Sequence, residues 1–327
     1  MTSRQEDVAM DATRLMQNDF DPLGPRLRSI RVASGRTANY IDEGQPDWTP
    51  LVFLGGAGTT VRAFGLLEFA RTLREELRVR VISVERNGLG GTAFDPAVGF
   101  GEYADDVWSV LDSLGIREAS IIAISGGGPY AARLAAAQPG RVRSLHLACA
   151  FSDTLAGTSP SFDIGEIAAN PVAWWTFPPN SSVHRIPGFA DSAIEEALRG
   201  SFARGRDTPP DGLRQAFELS RNTPLPELSA VVAPSFLYWG TADSLVPAEH
   251  RLRWGSQLRN VVLERIYSGE GHDVQYRHWD QILADVAFLG GREIVSTGGE
   301  TLLASPQRAV ELRSAGAIDG MAAWAAG

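Results

Sequence analysis

Ser125 stands between Ile121-Ile122-Ala123-Ile124 and Gly126-Gly127-Gly128-Pro129-Tyr130, so a hydroxyl is set between a β-branched run and a glycine turn. The first run has the composition of a parallel strand buried on both faces, and Tyr130-Ala-Ala-Arg-Leu-Ala-Ala-Ala reads as a helix. Lacking Cβ atoms, the glycines let the backbone turn sharply and let the helix approach the sheet. A serine on such a turn is thrust out at the strand's carboxyl end, above a helix N-terminus. That is the nucleophile-elbow pattern G-x-S-x-G, with Ala123, the next smallest residue, in its first position. Two other readings fit the same stretch: a structural serine in a glycine turn, and a dinucleotide fingerprint Gly126-x-Gly128-x-x-Ala131 with Asp153 as the ribose acid.

A neutral hydroxyl is a weak nucleophile and needs a base. Among the histidines, His146 lies inside an apolar strand, His184 in a Pro- and Ser-rich region, and His250 and His278 at helical positions. His272, in Ser268-Gly-Glu-Gly-His-Asp, follows a strand on a glycine-bearing loop that can carry an imidazole to the sheet edge. The base in turn needs a carboxylate on its other nitrogen to fix the tautomer and stabilise the imidazolium. Asp243 closes Leu237-Tyr-Trp-Gly-Thr-Ala-Asp at another strand end, and Asp153, after the strand that follows Ser125, is the competing acid. A tetrahedral oxyanion requires two preorganised N–H donors. Gly126 supplies one by its place after the serine, and Ala57, in Gly55-Gly56-Ala57-Gly58, is assigned the other.

These residues have to be positioned by a regular framework. Short strands are expected over 27–34 and 37–42, then at 51–54, 79–84, 121–124, 142–150, 235–240 and 261–267. Between them, Leu66, Ala70, Leu73 and Leu77 predict an amphipathic helix, as do Tyr103, Val107, Val110, Leu111 and Leu114. Trp279, Ile282, Leu283, Val286 and Ala287 line one face of the last framework helix. Strands alternating with helices imply right-handed crossovers and a mostly parallel sheet with helices on both faces. The alternation stops between about Ser152 and Ala230, a region rich in Pro, Ser and aromatics, read as an inserted lobe of mainly helices. The expected division is therefore an extension at 1–26, a core of 27–151 and 231–290, an insertion at 152–230 and a C-terminal extension at 291–327.

The 327 residues are 44% hydrophobic and 21% charged, as in a soluble domain with a real core, and a net charge of −9 disfavours nucleic acid or an anionic membrane as partner. The single cysteine, Cys149, cannot form an internal disulfide and sits in an apolar run, which reads as inert core. The first residues carry acids and no apolar h-region, and no stretch has the length to span a bilayer, so a cytoplasmic protein is expected.

Together, Leu54-Gly-Gly-Ala-Gly, Arg86-Asn-Gly-Leu-Gly-Gly-Thr, Ser125-Gly-Gly-Gly-Pro-Tyr, Trp239-Gly-Thr-Ala-Asp with Val246-Pro247, and Gly269-Glu-Gly-His resemble the capped members of the α/β-hydrolase family. The resemblance runs from about Arg28 to Leu289. It departs at Gly55-Gly56, where relatives often carry His-Gly, and at Glu85, where they often carry Asp. What it implies is an α/β-hydrolase fold with an inserted helical cap, and a triad of Ser125, Asp243 and His272. No metal or organic cofactor is implied. The expected reaction is cleavage of a carboxylic ester of a small or medium apolar substrate; cofactor-free haloperoxidases, lyases and C–C hydrolases share the same triad. A non-catalytic binding protein is the reading of another class, and it gives three matched catalytic groups no purpose. Gly88-x-Gly90-x-x-Ala93 also satisfies the dinucleotide pattern, which therefore discriminates nothing here. Trp174, Trp175 and Phe177, clustered near Pro171, Pro178 and Pro179 in the insertion, are expected to line a substrate wall. The partner implied is a small molecule, with a homo-oligomer open.

Overall fold

A computed structural model describes residues 7–15, 25–154, 165–166 and 209–321. The chain begins with strand β1 (Val8–Met10) and a short helix α1 (Ala12–Leu15). A hairpin follows, β2 (Arg28–Arg31) and β3 (Thr37–Glu43), turning at Gly35 with φ 84°. Then come β4 (Thr49–Leu54), a 3₁₀ run Val61–Ala70, α2 (Arg71–Glu76) and β5 (Val79–Val84). The unit repeats as α3 (Phe100–Ser113), β6 (Ala119–Ile124), α4 (Gly128–Ala137) and β7 (Val142–Ala148). Of the insertion, α5 (Asp211–Asn222) is described. Alternation resumes with β8 (Ser235–Gly240), α6 (Ala248–Gln257), β9 (Val261–Tyr267), α7 (Val274–Arg277) and α8 (Trp279–Phe288). The chain continues through β10 (Glu293–Thr297), β11 (Glu300–Ala304), α9 (Pro306–Ser314) and β12 (Ile318–Asp319).

The main sheet has eight strands in the order β2-β3-β5-β4-β6-β7-β8-β9. β2 and β3 are antiparallel to their neighbours, and every pairing from β5 to β9 is parallel. Period-2 alternation explains why Ile121 to Ile124 of β6 are all apolar: Ile121 and Ala123 enter the core under α3 and α4, while Ile122 and Ile124 enter the core under α8. Parallel strands all end at one edge, so the loops after β4, β6, β8 and β9 converge there.

Two parts differ from the sequence expectation. The helix expected around Leu66–Leu77 is a 3₁₀ run to Ala70 that becomes α-helical only at Arg71. Every residue from Ala63 to Ala70 is buried, so this stretch has no polar face for an amphipathic helix to present. The two ends of the chain also form a second sheet, in the antiparallel order β1-β11-β10-β12. It is fastened to α8: Ile294 N–H donates to Gln281 Oε1 (2.8 Å), and Met321 N–H donates to Asp280 Oδ2 (3.1 Å).

A line of buried polar groups crosses the sheet beneath α8. Arg265 makes a two-point contact with Asp285 (2.7 and 2.8 Å), and Tyr238 Oη donates to the same carboxylate (3.0 Å). His146 Nδ1 lies 2.9 Å from Tyr238 Oη and its Nε2 lies 2.9 Å from Ser144 Oγ, which is 2.7 Å from Ser120 Oγ. Since the Tyr238 proton goes to Asp285, His146 must donate from Nδ1 and accept at Nε2, which is the neutral imidazole. Burial pushes the His146 pKa down to about 3, so that form persists at all ordinary pH. We therefore expect Asp285→Ala, which leaves Arg265 and Tyr238 without their acceptor, to cost about 3–5 kcal/mol in urea unfolding. Glu311→Ala, which removes an exposed pair with Arg308, should leave the midpoint unchanged.

Candidate active site

β6 delivers Ser125 into a 3₁₀ turn that runs straight into α4. Ser125 has φ 50°, a left-handed conformation that costs a serine about 1–2 kcal/mol. The three glycines after it are each required by contact. A Cβ on Gly126 would lie 2.7 Å from Ala57 Cβ, one on Gly127 2.5 Å from the Leu54 carbonyl, and one on Gly128 1.9 Å from the Phe151 carbonyl. The turn is thus wedged between the loops that follow β4 and β7. Phe151 N–H donates to Ser125 O at 2.8 Å and closes the second of these contacts.

The loops after β8 and β9 are joined to each other before they meet the serine. Thr241 N–H donates to Tyr267 O (2.9 Å), Ala242 N–H to Glu270 O (2.8 Å) and Gly269 N–H to Thr241 Oγ1 (2.8 Å). Gly240 permits the approach, because a Cβ there would stand 2.2 Å from Glu270 O. From this pair of loops His272 places Nε2 2.9 Å from Ser125 Oγ and Nδ1 2.9 Å from Asp243 Oδ2. The other Asp243 oxygen accepts the N–H groups of Leu245 and Val246, both at 2.9 Å. Burial opposes ionisation of Asp243, but the hydrogen bond and charge of His272, the Val246 N–H and the Cys149 thiol outweigh it and hold the carboxyl below its ordinary value.

Cys149 is the member of this cluster that the sequence hides. It is buried in the left-handed region (φ 45°), just past the end of β7, with its thiol hydrogen-bonded to Asp243. Burial and the neighbouring carboxylate push the thiol pKa well up, so it acts as a neutral donor to the acid. Cys149, Asp243 and His272 are ligand types with atoms within 4.8 Å of one another.

The loop after β4 is held by the two residues that follow β5. Glu85 Oε1 accepts Val61 N–H (3.1 Å), while Arg86 Nη2 donates to the carbonyls of Gly56 and Thr59 and to Thr59 Oγ1. Both side chains are buried. Ala57 N lies 2.8 Å from where a Gly126 Cβ would stand, so the backbones of the two expected N–H donors are in contact. Burial pushes the Glu85 carboxyl up to about 7, against the pull of the Val61 N–H and Arg86.

Asp153 stands apart from His272: it is buried, pairs with Arg253 (3.1 Å) and accepts Leu225 N–H (3.4 Å). That also removes it as a ribose acid. His250 accepts from Ser152 Oγ at 2.9 Å with its pKa lowered by burial to about 4, and His278 stacks on Tyr267 and pairs with Glu270. Trp174, Trp175, Phe177 and His184 lie outside the described residues. The described end of the insertion rests on the same loop edge: Asn87 Nδ2 donates to Gln215 Oε1 on α5 (2.7 Å), and Gly212 packs on Gly88.

The sequence model of the alpha/beta hydrolase fold matches residues 49–278. The magnesium-chelatase 30 kDa subunit of Rhodobacter capsulatus is 27% identical over 240 residues, covering 70% of this chain and 83% of that protein. The 2-hydroxymuconate semialdehyde hydrolase of Pseudomonas putida is 24% identical over 273 residues, covering 78% and 90%. Among solved structures, an esterase from Rhodococcus sp. ECU1013 is similar in fold, with a TM-score of 0.60 and 22% identity over 80% of this chain and 98% of that one.

Two measurements test this geometry. Asp243→Asn should lower whatever turnover depends on Ser125 by about 10³–10⁴-fold by disturbing the His272 tautomer, while Asp153→Asn leaves it nearly unchanged; the reverse ranking identifies Asp153 as the acid. Glu85 has a folded pKa of about 7, above the ordinary ~4.3 of an unfolded glutamate. Between those values the folded chain holds a proton that the unfolded chain releases, so stability falls as pH rises through the window and levels off above it. Relative to Glu85→Gln, the wild-type chain should lose on the order of 3 kcal/mol from pH 4.5 to 7.5 in denaturant unfolding.

Proposed function

Because the chain belongs to the alpha/beta hydrolase fold family, we propose that it is a serine hydrolase that cleaves a carboxylic ester of a small or medium apolar substrate. The observation that carries the reading is the unbroken hydrogen-bonded line Ser125–His272–Asp243, with both links at 2.9 Å. In that role His272 Nε2 takes the Ser125 proton as Oγ attacks the ester carbonyl. The oxyanion forms between the N–H groups of Ala57 and Gly126. On collapse the C–O bond breaks and His272 returns the proton to the leaving alcohol. Water, deprotonated by the same imidazole, then attacks the acyl-enzyme, releasing the carboxylic acid and restoring Ser125. Asp243 stabilises the imidazolium in both half-reactions. One net water is consumed for each ester cleaved.

We assign the insertion, residues 152–230, the role of a cap, with Trp174, Trp175 and Phe177 forming part of the acyl or alcohol wall. Its exit at Phe151–Ser152, beside the serine turn, and the seat of α5 on the Asn87–Gly88 loop support this placement. The similarity to a protein named an esterase supports an ester as substrate.

Fluorophosphonate labelling followed by turnover of p-nitrophenyl esters graded by acyl length tests the reading. Labelling should map to Ser125, and Ser125→Ala should lose it together with at least about 10³-fold in kcat/KM. Undiminished labelling of the alanine variant at another serine overturns the nucleophile assignment. Labelled Ser125 with no ester turned over removes the ester and leaves the haloperoxidase, lyase and C–C hydrolase reactions, which product analysis separates.

A further inference from the structure

Arg86 is almost fully buried against the loop that follows β4. Its Nη2 gathers three acceptors from that loop: Gly56 O at 2.5 Å, Thr59 O at 2.8 Å and Thr59 Oγ1 at 3.1 Å. The guanidinium also lies over the ring of Tyr130, two residues into α4, with 5.2 Å to the centroid. One cation therefore touches both the β4 loop and the helix that carries the serine turn.

The first of those acceptors matters most. Gly56 C=O and Ala57 N–H belong to the same peptide unit, and in a planar trans peptide they point in opposite directions. The chain has no cis peptide bond among the described residues. A carbonyl drawn toward Arg86 thus turns the Ala57 N–H away from Arg86, and the Ala57 nitrogen lies 2.8 Å from where a Gly126 Cβ would stand. Were the peptide to rotate by half a turn, the carbonyl oxygen would face the developing oxyanion in place of a donor. Gly56 O also accepts from Thr59 Oγ1 (2.8 Å) and Thr59 N–H (3.3 Å), and Arg86 in turn binds Thr59 Oγ1 and O, so the guanidinium anchors both the carbonyl and the residue that shares it.

We propose that Arg86 is the positioning residue of the oxyanion site: it fixes the Gly56–Ala57 peptide so that the Ala57 N–H faces the reacting carbonyl. The role rests on the serine-hydrolase reading above, and it acts through Ala57, with no contact between Arg86 and substrate. A donor whose direction is set in advance costs no reorganisation when charge develops, and loss of one such donor typically lowers kcat by about 10²–10³. An arginine that selects the orientation without being the donor should contribute somewhat less.

The test uses Arg86→Met and Arg86→Lys in the full chain, with folding checked by circular dichroism. Arg86→Met should lower kcat for p-nitrophenyl esters by about 10- to 100-fold with KM changed by less than about threefold. It should weaken a trifluoromethyl ketone, which forms an oxyanion on the serine, by a similar factor. Arg86→Lys keeps the charge on a stem that ends short of Nη2, so it should recover part of both losses. Adding Arg86→Met to Ala57→Pro, which already lacks the N–H, should cost less than about threefold more. Folded Arg86→Met with kcat within about threefold of wild type overturns the proposal, as does full additivity with Ala57→Pro. If Arg86→Met does not fold, the same comparison on Arg86→Lys decides. A wild-type chain whose Ser125 takes no fluorophosphonate overturns the hydrolytic reading and this role with it. Turnover that needs Ser125 and ignores Arg86 overturns this role alone.

Discussion

The contact between the serine turn and its two flanking loops is the constraint on which the rest of the arrangement depends. Ser125 is held at φ 50° because the backbone must pass directly from a buried strand to a buried helix within a single turn. The backbone of Ala57 and the carbonyls of Leu54 and Phe151 then come so near Gly126, Gly127 and Gly128 that none of these glycines tolerates a side chain without movement. Strain at one residue is maintained by close packing at the next three, the usual condition for a sparsely populated conformation to persist. The same packing places the Ala57 and Gly126 backbones together. Presentation of the proposed nucleophile and seating of the two expected N–H donors are consequently one structural event.

A second assembly is built on the same principle. The acid and the histidine come from different strands, yet their loops are tied by backbone hydrogen bonds at Thr241, Ala242 and Gly269 and by the bare Cα of Gly240. Asp243 spends one oxygen on two N–H groups of its own loop and the other on His272. This leaves its carboxylate no freedom to rotate away from the imidazole. Cys149 adds a weak donor from below. Asp153, only four residues beyond Cys149, is taken up by Arg253 and by the Leu225 N–H. The two aspartates thus differ in what their surroundings demand of them.

That Ser125, Asp243 and His272 would reach one edge was legible in the sequence, because each closes a strand and the strand–helix alternation implies parallel order. The limits of legibility are equally physical. Cys149 looked like core because burial and a hydrogen bond to Asp243 are compatible, and apolar neighbours reveal only the first. The second sheet was missed because β1 has three residues and pairs with β11 from the far end of the chain, a contact that no local pattern announces. Leu66, Ala70, Leu73 and Leu77 suggest one amphipathic helix, but the first two lie in the 3₁₀ run Val61–Ala70, where burial of every residue from Ala63 to Ala70 leaves no polar face. His146 illustrates the opposite case. Its strand position marks it as interior, while its place in a directed line from Ser144 to Asp285 depends on Tyr238 of β8 and Asp285 of α8, both distant in sequence.

The proposed catalytic groups and the described end of the insertion are held in different ways. The serine turn, the acid and histidine loops and the β4 loop are all fixed by backbone contacts inside the core, where a change in one side chain is felt by its neighbours. The described end of the insertion meets this core through apolar and polar contacts alike: Ala216 and Leu228 join the core cluster, Asn87 pairs with Gln215, and Arg133 donates to the Pro224 carbonyl. None of these contacts involves Ser125, His272 or Asp243, so substitutions there can alter the surroundings of the site without touching that hydrogen-bonded line. Proteins similar to this chain carry names as different as an esterase and a magnesium-chelatase subunit, which fits a framework whose fold is shared and whose function is set by what is placed over it.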